Sequence, residues 1–309
     1  MQKGLVIKST GSWYTVRLEN GVYLDCRLKG KFRIKDVRTT NPVAVGDRVM
    51  VDEQSAVIEE LEERKNYIIR KSVNLSRQAQ IIAANLDQAL LLVTLSNPTT
   101  STGFIDRFLL TAEAYHIPVK IVFNKVDIYT EDEKKRLEIL KKLYTKIGYE
   151  CHAISALNSD DVAKVKTLLK DKVTLLSGHS GVGKSTLLNA IVPQANATVG
   201  KTSDFHQKGK HTTTFAEMFE LDFGGYIIDT PGIKGFGIVD LDKAELSHYF
   251  IEMRELLKAC KFNNCTHINE PNCAVLKALQ EARLEESRYK SYLSIYFDDE
   301  DETYRTPDY

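Results

Sequence analysis

Short apolar or aromatic runs alternate with polar turns over residues 1–72. The runs "GLVIKST", "WYTVRL", "VYLDCRL" and "DRVMVD" are rich in β-branched and aromatic residues, and Gly, Asn and Asp separate them, as is typical of β-strands. Several short strands at close spacing predict a small barrel, for which we expect the oligonucleotide-binding (OB) type.

Strand and helix patterns alternate from residue 73 to residue 237. Apolar runs predict strands at "QALLLVTL", "VKIVF", "CHAIS", "VTLLSG" and "GYIIDT". Several of these runs are apolar enough to be buried on both faces of a sheet. Amphipathic stretches predict helices at "TGFIDRFLLTAEAYH", "EDEKKRLEILKKLY" and "DDVAKVKTLLK". This alternation predicts a parallel α/β sheet, whose active loops leave the carboxyl ends of the strands.

Helical patterns dominate the last segment, residues 238–309. We predict one helix over "LDKAELSHYFIEMRELLKAC" and another over "CAVLKALQEARLEESRYKSYLSIY", with a loop rich in cysteine and histidine between them. The final "DDEDETYRTPDY" is acidic, which favours a solvated, disordered end. The third domain is therefore expected to be mostly helical.

Composition narrows the class of protein. A length of 309 residues suits two or three domains, and a hydrophobic share of 43% is typical of a globular protein. The 42 basic and 42 acidic residues balance, so the chain lacks the overall positive charge of many nucleic-acid-binding proteins. No apolar run approaches the roughly 20 residues that span a bilayer, and the amino terminus lacks a signal-peptide pattern. We expect a cytoplasmic monomer with no membrane partner.

A local basic stretch, "RLKGKFRIKDVR", interrupts this balance within the barrel segment. Its basic residues, which surround Phe32, are Arg27, Lys29, Lys31, Arg33, Lys35 and Arg38. Basic and aromatic side chains together suit a surface that follows a nucleic-acid backbone and stacks on bases. A hydrated hairpin explains the same residues, so the stretch alone leaves RNA binding open.

A phosphate-binding loop follows the apolar run "VTLL". The string "GHSGVGKST" has the G-x-x-x-x-G-K-[ST] pattern and leads into the helical pattern "STLLNAI". Backbone N–H groups would cradle the phosphates, Lys184 would neutralise β- and γ-phosphate oxygens, and Ser185 would bind Mg²⁺. The predicted nucleotide contacts are Gly178, His179, Ser180, Gly181, Val182, Gly183, Lys184, Ser185 and Thr186.

Two stretches at strand ends predict recognition of guanine. In "NKVD", Asp127 would accept hydrogen bonds from N1–H and the N2 amine of guanine, which adenine lacks. Lys125 would pack along the base, and Asn124 would brace the neighbouring loop. In "SAL", which begins with Ser155, the N–H of Ala156 would donate to guanine O6. Together with the phosphate loop, these stretches predict a GTP site rather than an ATP site.

The motif "DTPG" and the segment before it predict the switch regions. Asp229 would hold Mg²⁺, and the N–H of Gly232 would sense the γ-phosphate. The stretch "DFHQKGKHTTTFAE" at residues 204–217 lies where a first switch belongs. This stretch contains three consecutive threonines, any one of which could contact Mg²⁺ and the γ-phosphate. Of Thr212, Thr213 and Thr214, we favour Thr213.

The order of these motifs is unusual. A conventional GTPase domain begins with its phosphate loop, whereas here residues 124–127 and 155–157 precede residues 178–186 and 229–232. Cutting such a domain before its guanine-reading half and joining its old ends produces this order. All four loops would still leave the same edge of the sheet. The sequence therefore predicts a circularly permuted GTPase domain.

The group that positions the attacking water is not evident. Many GTPases place a glutamine just after the "DxxG" turn, but this chain has Ile233, which carries no hydrogen-bonding group. His206, His211 or a group from a partner are the alternatives. We therefore expect slow hydrolysis by the protein alone.

The string "CKFNNCTHINEPNC" predicts a structural zinc site. Three thiolates and one imidazole at close spacing saturate a tetrahedral zinc ion and leave no place for water. The predicted ligands are Cys260, Cys265, His267 and Cys273. Cys26 and Cys151 lie in strand-like runs without such partners, and we expect them to be buried small residues.

These features together resemble the circularly permuted, ribosome small-subunit-dependent GTPase A family. The resemblance covers nearly the whole chain: the barrel, the permuted motifs, the "GKHTTT" switch and the Cys–Cys–His–Cys loop. Lys210 stands where we expect arginine in many relatives. The resemblance implies an OB barrel, a role in late maturation of the small ribosomal subunit through contact with that subunit and its rRNA, and GTP hydrolysis stimulated by the subunit.

Two other functions remain open at this point. One is an RNA-binding scaffold that binds GTP as a regulatory ligand with little turnover, and the other is a permuted GTPase that acts on a different RNA or protein. The intact Lys184, Ser185 and Asp229 favour an enzyme, whereas Ile233 leaves the scaffold open.

Overall fold

The computed structural model describes residues 1–30, 42–71, 79–195, 216–229 and 242–297. Within these ranges the strands are β1 Gln2–Ser9, β2 Tyr14–Leu18, β3 Tyr23–Leu28, β4 Arg48–Asp52, β5 Val57–Leu61, β6 Tyr67–Lys71, β7 Ala79–Ala84, β8 Gln88–Val93, β9 Val119–Phe123, β10 Glu150–Ala153, β11 Val173–Ser177, β12 Glu217–Glu220 and β13 Tyr226–Asp229. The helices are α1 Thr102–Ala114, α2 Glu131–Ile147, α3 Ser159–Leu169, α4 Lys184–Ile191, α5 Ile251–Arg254, α6 Ala274–Gln280 and α7 Glu286–Phe297.

Strands β1 to β5 close the amino-terminal barrel. β1 pairs with both β2 and β4, while β3 pairs in parallel with β5, which gives the closed order β1-β2-β3-β5-β4-β1. Because side chains alternate along a strand, every second residue points into the barrel, as Val6, Val16 and Val49 do. The predicted OB-type barrel is confirmed. The sequence did not reveal β5, because Ile58 is its only fully buried residue.

Six strands form the sheet of the α/β domain in the order β10-β9-β8-β11-β13-β12. The first five are parallel and β12 is antiparallel. One face of the sheet packs against α1 and α2, and the opposite face packs against α3 and α4. β11, which carries the phosphate loop, lies at the centre although β8 and β9 precede it in the chain. This is the sheet of a permuted GTPase domain.

A separate hairpin of β6 and β7 lies between the barrel and the α/β domain. Asn66 before it exchanges two hydrogen bonds with the backbone of Leu86, at 2.8 and 2.9 Å. On the barrel side, Arg64 donates to both carboxylate oxygens of the buried Asp47, at 2.7 and 2.6 Å. The Asn66 bonds close the base of the hairpin, and the Arg64 bonds fix the chain just before it to the barrel, contacts that the local sequence pattern did not predict.

The barrel and the α/β domain also share one continuous sheet. Lys8 of β1 pairs with Glu217 of β12, so eleven strands are joined edge to edge.

The two cysteines outside the predicted zinc site differ in burial. Cys26 in β3 is fully buried as predicted, whereas Cys151 in β10 is only partly buried.

The carboxyl-terminal segment is helical, but the two continuous helices predicted there are wrong. Phe250 has an extended backbone between a 3₁₀ turn and the single-turn α5. Ala282 adopts a left-handed conformation, and the N–H groups of Arg283 and Leu284 bond back to the Ala278 carbonyl, so α6 ends. These breaks allow Phe250 and Leu284, which lie far apart in the chain, to enter one apolar cluster with α7. Within the described ranges, no helix has both the length and the apolar character needed to cross a membrane.

Candidate functional site

The loops that the sequence singled out converge at one edge of the α/β sheet. Residues 124–127 follow β9, residues 155–157 follow β10, and the phosphate loop follows β11. Asp229 is the last residue of β13 and pairs with Leu176 of β11, just before the loop. Since these strands are parallel, their carboxyl ends lie at the same edge, as predicted.

The phosphate loop leads into α4 with Lys184 as the first helical residue. The Nζ atom of Lys184 donates to the carbonyls of Gly178 and His179, both at 2.7 Å, so the ammonium group is held inside the loop. Burial lowers the pKa of Lys184 to about 8, against the opposing charge of Asp229. The loop thus holds a partly desolvated cation next to backbone N–H groups and a helix amino terminus, an arrangement suited to phosphate.

His179 within the loop packs against α1. Its ring lies 3.6 Å from that of Phe104, measured between centroids. Burial and the neighbouring charge of Lys184 lower the pKa of His179 to about 4, so its imidazole is neutral at pH 7. The sequence predicted His179 as a nucleotide contact through its position in the loop. The structure adds that its side chain anchors the loop to the helix.

Asn124 connects the guanine-reading loops to the phosphate loop. Its Nδ2 donates to the carbonyl of Val182 at 2.8 Å, and its Oδ1 accepts the N–H of Ala156 at 2.9 Å. A Cβ atom on Gly183 would lie 2.3 Å from Nδ2 of Asn124, so a larger residue there would break this contact. One buried amide therefore holds together three segments that are far apart in the sequence.

The other predicted guanine-site residues differ from one another in exposure and in hydrogen bonding. Asp127 is exposed at the rim, where a base could reach its carboxylate. Lys125 has a left-handed backbone, its ammonium donates to the Asn97 carbonyl, and burial lowers its pKa. The N–H of Ala156, predicted to donate to guanine O6, donates here to Asn124, so a contact with the base requires exchange of that hydrogen bond.

Several predicted residues lie outside the described parts of the chain. These are Thr213 with its neighbours Thr212 and Thr214, Gly232, Ile233, His206, His211 and Lys210, together with the basic residues from Lys31 to Arg38 and the acidic end. Their roles stay predictions. Of the three predicted Mg²⁺ ligands, Ser185 and Asp229 are described, at the start of α4 and the end of β13.

The four predicted zinc ligands lie together at the loop between α5 and α6. Ligand atoms of Cys260, Cys265, His267 and Cys273 all fall within 4.8 Å of one another. Nδ1 of His267 lies 3.3 Å from Sγ of Cys273 and 3.7 Å from Sγ of Cys260. Bonds of about 2.0–2.3 Å around a tetrahedral zinc separate its ligand atoms by about 3.5–3.8 Å. The cluster therefore fits zinc in both chemistry and size.

Three residues that the sequence did not single out support this loop. The hydroxyl of Tyr289 donates to the His267 carbonyl at 2.7 Å, and that of Tyr292 to the Thr266 carbonyl at 2.6 Å. The carboxylate of Glu270 accepts the N–H groups of Thr266 and Ile268 at 2.6 and 2.9 Å. Burial tends to raise the pKa of Glu270, but a hydrogen bond from the Thr266 hydroxyl, together with these backbone hydrogen bonds, outweighs burial and lowers the pKa to about 2. Helix α7 thus supports the metal loop from one side.

A buried ion cluster joins the carboxyl-terminal helices to the α/β domain. Arg288 of α7 donates to Asp106 of α1 at 2.6 Å and to Glu252 of α5 at 2.5 Å. Asp106 also accepts from the hydroxyls of Ser291 and Tyr144, at 2.6 and 2.9 Å. Desolvation opposes the charge of Arg288, yet the two carboxylates raise its pKa well above the ordinary value. No local pattern in the sequence indicated this cluster.

Fold and site together define a circularly permuted P-loop GTPase with an amino-terminal barrel and a carboxyl-terminal Cys₃His cluster. A family model described as RsgA GTPase matches residues 61–239, and one described as RsgA N-terminal domain matches residues 3–57. The chain belongs to the RsgA GTPase family, as its motifs indicated.

Relatives and solved structures agree with this assignment. Proteins of Bacteroides fragilis (strain YCH46) and Phocaeicola vulgatus, both named small ribosomal subunit biogenesis GTPase RsgA, are 58% and 56% identical over 306 residues, which is 98% of this chain and 99% of each relative. YjeQ from Thermotoga maritima is 35% identical with a TM-score of 0.78, covering 96% of this chain and 98% of that chain. YloQ, described as a circularly permuted GTPase, is 31% identical with a TM-score of 0.73, covering 100% and 97%.

Proposed function

We propose that this protein hydrolyses GTP while bound to the small ribosomal subunit and that it assists the late maturation of that subunit. The observation that carries the proposal is the Asn124 amide, which donates to Val182 and accepts from Ala156 and so joins the guanine-reading loops to the phosphate loop in one site. The relatives' printed name supplies the subunit as the partner. Family membership favours the enzyme over a scaffold that only binds GTP.

Each described residue has a role that follows from its position. Lys184 would exchange its carbonyl partners at Gly178 and His179 for phosphate oxygens, which attract an ammonium group more strongly than carbonyls do. Asp127 would select guanine. Ser185, Asp229 and Thr213 would hold Mg²⁺, which would neutralise charge on the phosphates. The proposed contacts also include Asn124, Lys125, Ser155, Ala156, Gly178, His179, Ser180, Gly181, Val182, Gly183, Thr186 and Gly232.

The protein alone should turn over slowly. Ile233 has no group that can orient the attacking water, so hydrolysis depends on His206, His211 or a group supplied by the subunit. Positioning of this water is the step that we assign to the partner.

The barrel is our candidate for the RNA-binding surface. Trp13 is 43% exposed, and the guanidinium of Arg27 lies 4.0 Å from the centre of its ring. Tyr23 is 55% exposed at the start of β3. An exposed aromatic ring beside a cation suits a base and its phosphate. We propose three modules: residues 1–72 binding RNA, residues 73–237 binding and hydrolysing GTP, and residues 238–309 held by one structural zinc ion.

The test is turnover of the purified full-length protein with and without small ribosomal subunits, at low salt and saturating GTP. We expect subunits to raise kcat, an effect that falls with salt as contacts to RNA phosphates are screened. Lys184→Ala should abolish turnover under both conditions. Trp13→Ala should weaken subunit binding, whereas Ile139→Ala, at an exposed position on α2, should not. Equal rates with and without subunits would reject the proposal.

A further inference from the structure

Strand β12 links the barrel to the nucleotide site through one row of paired residues. Lys8 of β1 pairs with Glu217, and Glu217 pairs with Asp229 of β13. Asp229 in turn pairs with Leu176 of β11, two residues before the phosphate loop begins at Gly178. The proposed RNA-binding barrel and the proposed Mg²⁺ ligand Asp229 therefore belong to one sheet, separated by a single strand.

The junction between β1 and β12 is narrow. Lys8 and Glu217 are its single backbone pair among the described residues. Two ion pairs join β12 to the barrel here, from Lys8 Nζ of β1 to Glu217 Oε1 at 3.1 Å and from Arg17 Nε of the adjacent β2 to Glu220 Oε2 at 2.9 Å. All four side chains are between 29% and 44% exposed, so each pair contributes only modest stability. Contacts of this strength can hold β12 in register with β1, and they can also be broken.

Chain connectivity places this junction directly after the predicted first switch. Residues 204–217 run into β12, whose first residue is Glu217. A displacement of β12 would therefore act on the predicted switch, which precedes it in the chain, and on Asp229, which pairs with Glu217 in the sheet. Leu5 and Ile7 of β1 pack against the core of the α/β domain, so apolar contacts also hold β1 to that domain.

We propose that the junction of β1 and β12 couples the barrel to the nucleotide site, with Arg17 and Glu220 as positioning residues for subunit-stimulated hydrolysis. The subunit, bound to the barrel, holds β12 through these ion pairs and thereby fixes the position of Asp229 beside the phosphate loop. This inference rests on the proposed function.

Glu220 allows the coupling to be separated from RNA binding. Replacement by arginine places two like charges across the junction, yet it adds positive charge that cannot weaken attraction to RNA. Glu220 pairs with Tyr226, three positions from Asp229, so the nucleotide site itself is not altered. Glu19→Arg, at the exposed position just after β2, makes the same change of charge two residues from Arg17 but outside the ion pair, and serves as the matched control.

The experiment measures kcat at saturating subunits, subunit affinity and basal turnover for the wild type and the variants. Glu220→Arg should lower the stimulated kcat about fivefold, with basal turnover unchanged and affinity unchanged or tighter. The exchange Arg17→Glu with Glu220→Arg should restore most of the stimulated kcat by re-forming the pair in reverse. Lys8→Met, which removes the other cation, should also lower the stimulated kcat while basal turnover reports an intact site.

The outcomes distinguish this inference from the proposed function. A wild-type protein that subunits do not stimulate overturns both. A stimulated wild type with Glu220→Arg equal to Glu19→Arg overturns the coupling alone, as does a charge exchange that recovers nothing. If Arg17→Glu changes only subunit affinity and not kcat, Arg17 is an RNA contact and the coupling is wrong.

Discussion

Replacing Arg288 by methionine should destabilise the carboxyl-terminal module by about 3 kcal/mol. Arg288 is 1% exposed, and its guanidinium lies between Asp106, which is fully buried, and Glu252. Methionine fills most of the space of the arginine stem but leaves the Asp106 carboxylate without its cation. Breaking a buried pair in this way costs about 3–5 kcal/mol.

The lower end of that range applies because Asp106 keeps two donors. The hydroxyls of Ser291 and Tyr144 still reach its carboxylate at 2.6 and 2.9 Å. Glu252, whose side chain is 16% exposed, gains water in place of the lost guanidinium. A loss of about 3 kcal/mol corresponds to a fall in Tm of about 12–24 °C for a unit of the size of this module.

Hydrogen exchange of peptides from α6 and α7 measures this loss where it occurs, since the single tryptophan, Trp13, lies in the barrel and does not report on these helices. The control Lys290→Met removes an exposed ion pair with Glu286 on the same helix and should cost less than about 0.5 kcal/mol. In a double-mutant cycle, Arg288→Met with Asp106→Asn should cost about 1.5 kcal/mol less than the sum of the single changes. Additive costs, or a loss below about 1 kcal/mol for Arg288→Met, would refute the reasoning.

Three further predictions concern the two sites. Asp127→Asn should weaken GTP binding by about 1–3 kcal/mol, because a charged acceptor is lost; displacement of a fluorescent GTP analogue measures this, and equal competition by ATP in the wild type contradicts the assignment. Elemental analysis should find about one zinc per chain, and Cys265→Ser should lower the Tm of the carboxyl-terminal module, since metal binding supplies folding energy there; metal-free protein with an unchanged Tm speaks against the site. The pKa of Lys184 is about 8 in this structure, and bound phosphate favours its charged form. GTP affinity should therefore be full below pH 8 and fall as the pH rises through 8. An affinity that stays constant from about pH 7 to pH 9 rules this out.

The chemistry of both sites could be predicted from the sequence because each ligand set is local. Phosphate recognition needs glycines, Lys184 and a helix start within nine residues, and zinc recognition needs four ligands within fourteen residues. The permutation was also predictable, because the order of motifs is a property of the chain itself. Alternating side chains predicted four of the five barrel strands. The fifth strand, β5, escaped because its Glu59 and Glu60 interrupt the apolar alternation.

Contacts between distant segments were decided only by the tertiary structure. Asp106 and Arg288 are 182 residues apart, and nothing near either one in the chain reveals that they meet as a buried pair. The same holds for β12, whose backbone pairing with β1, through Lys8 and Glu217 in the described part of the chain, turns two predicted domains into one sheet. The sequence by itself determined which chemistry each loop can perform, because those groups are neighbours in the chain. How the barrel, the nucleotide site and the metal loop act on one another depended on the packing of remote residues, where burial and pairing of charge arise only once the chain has folded.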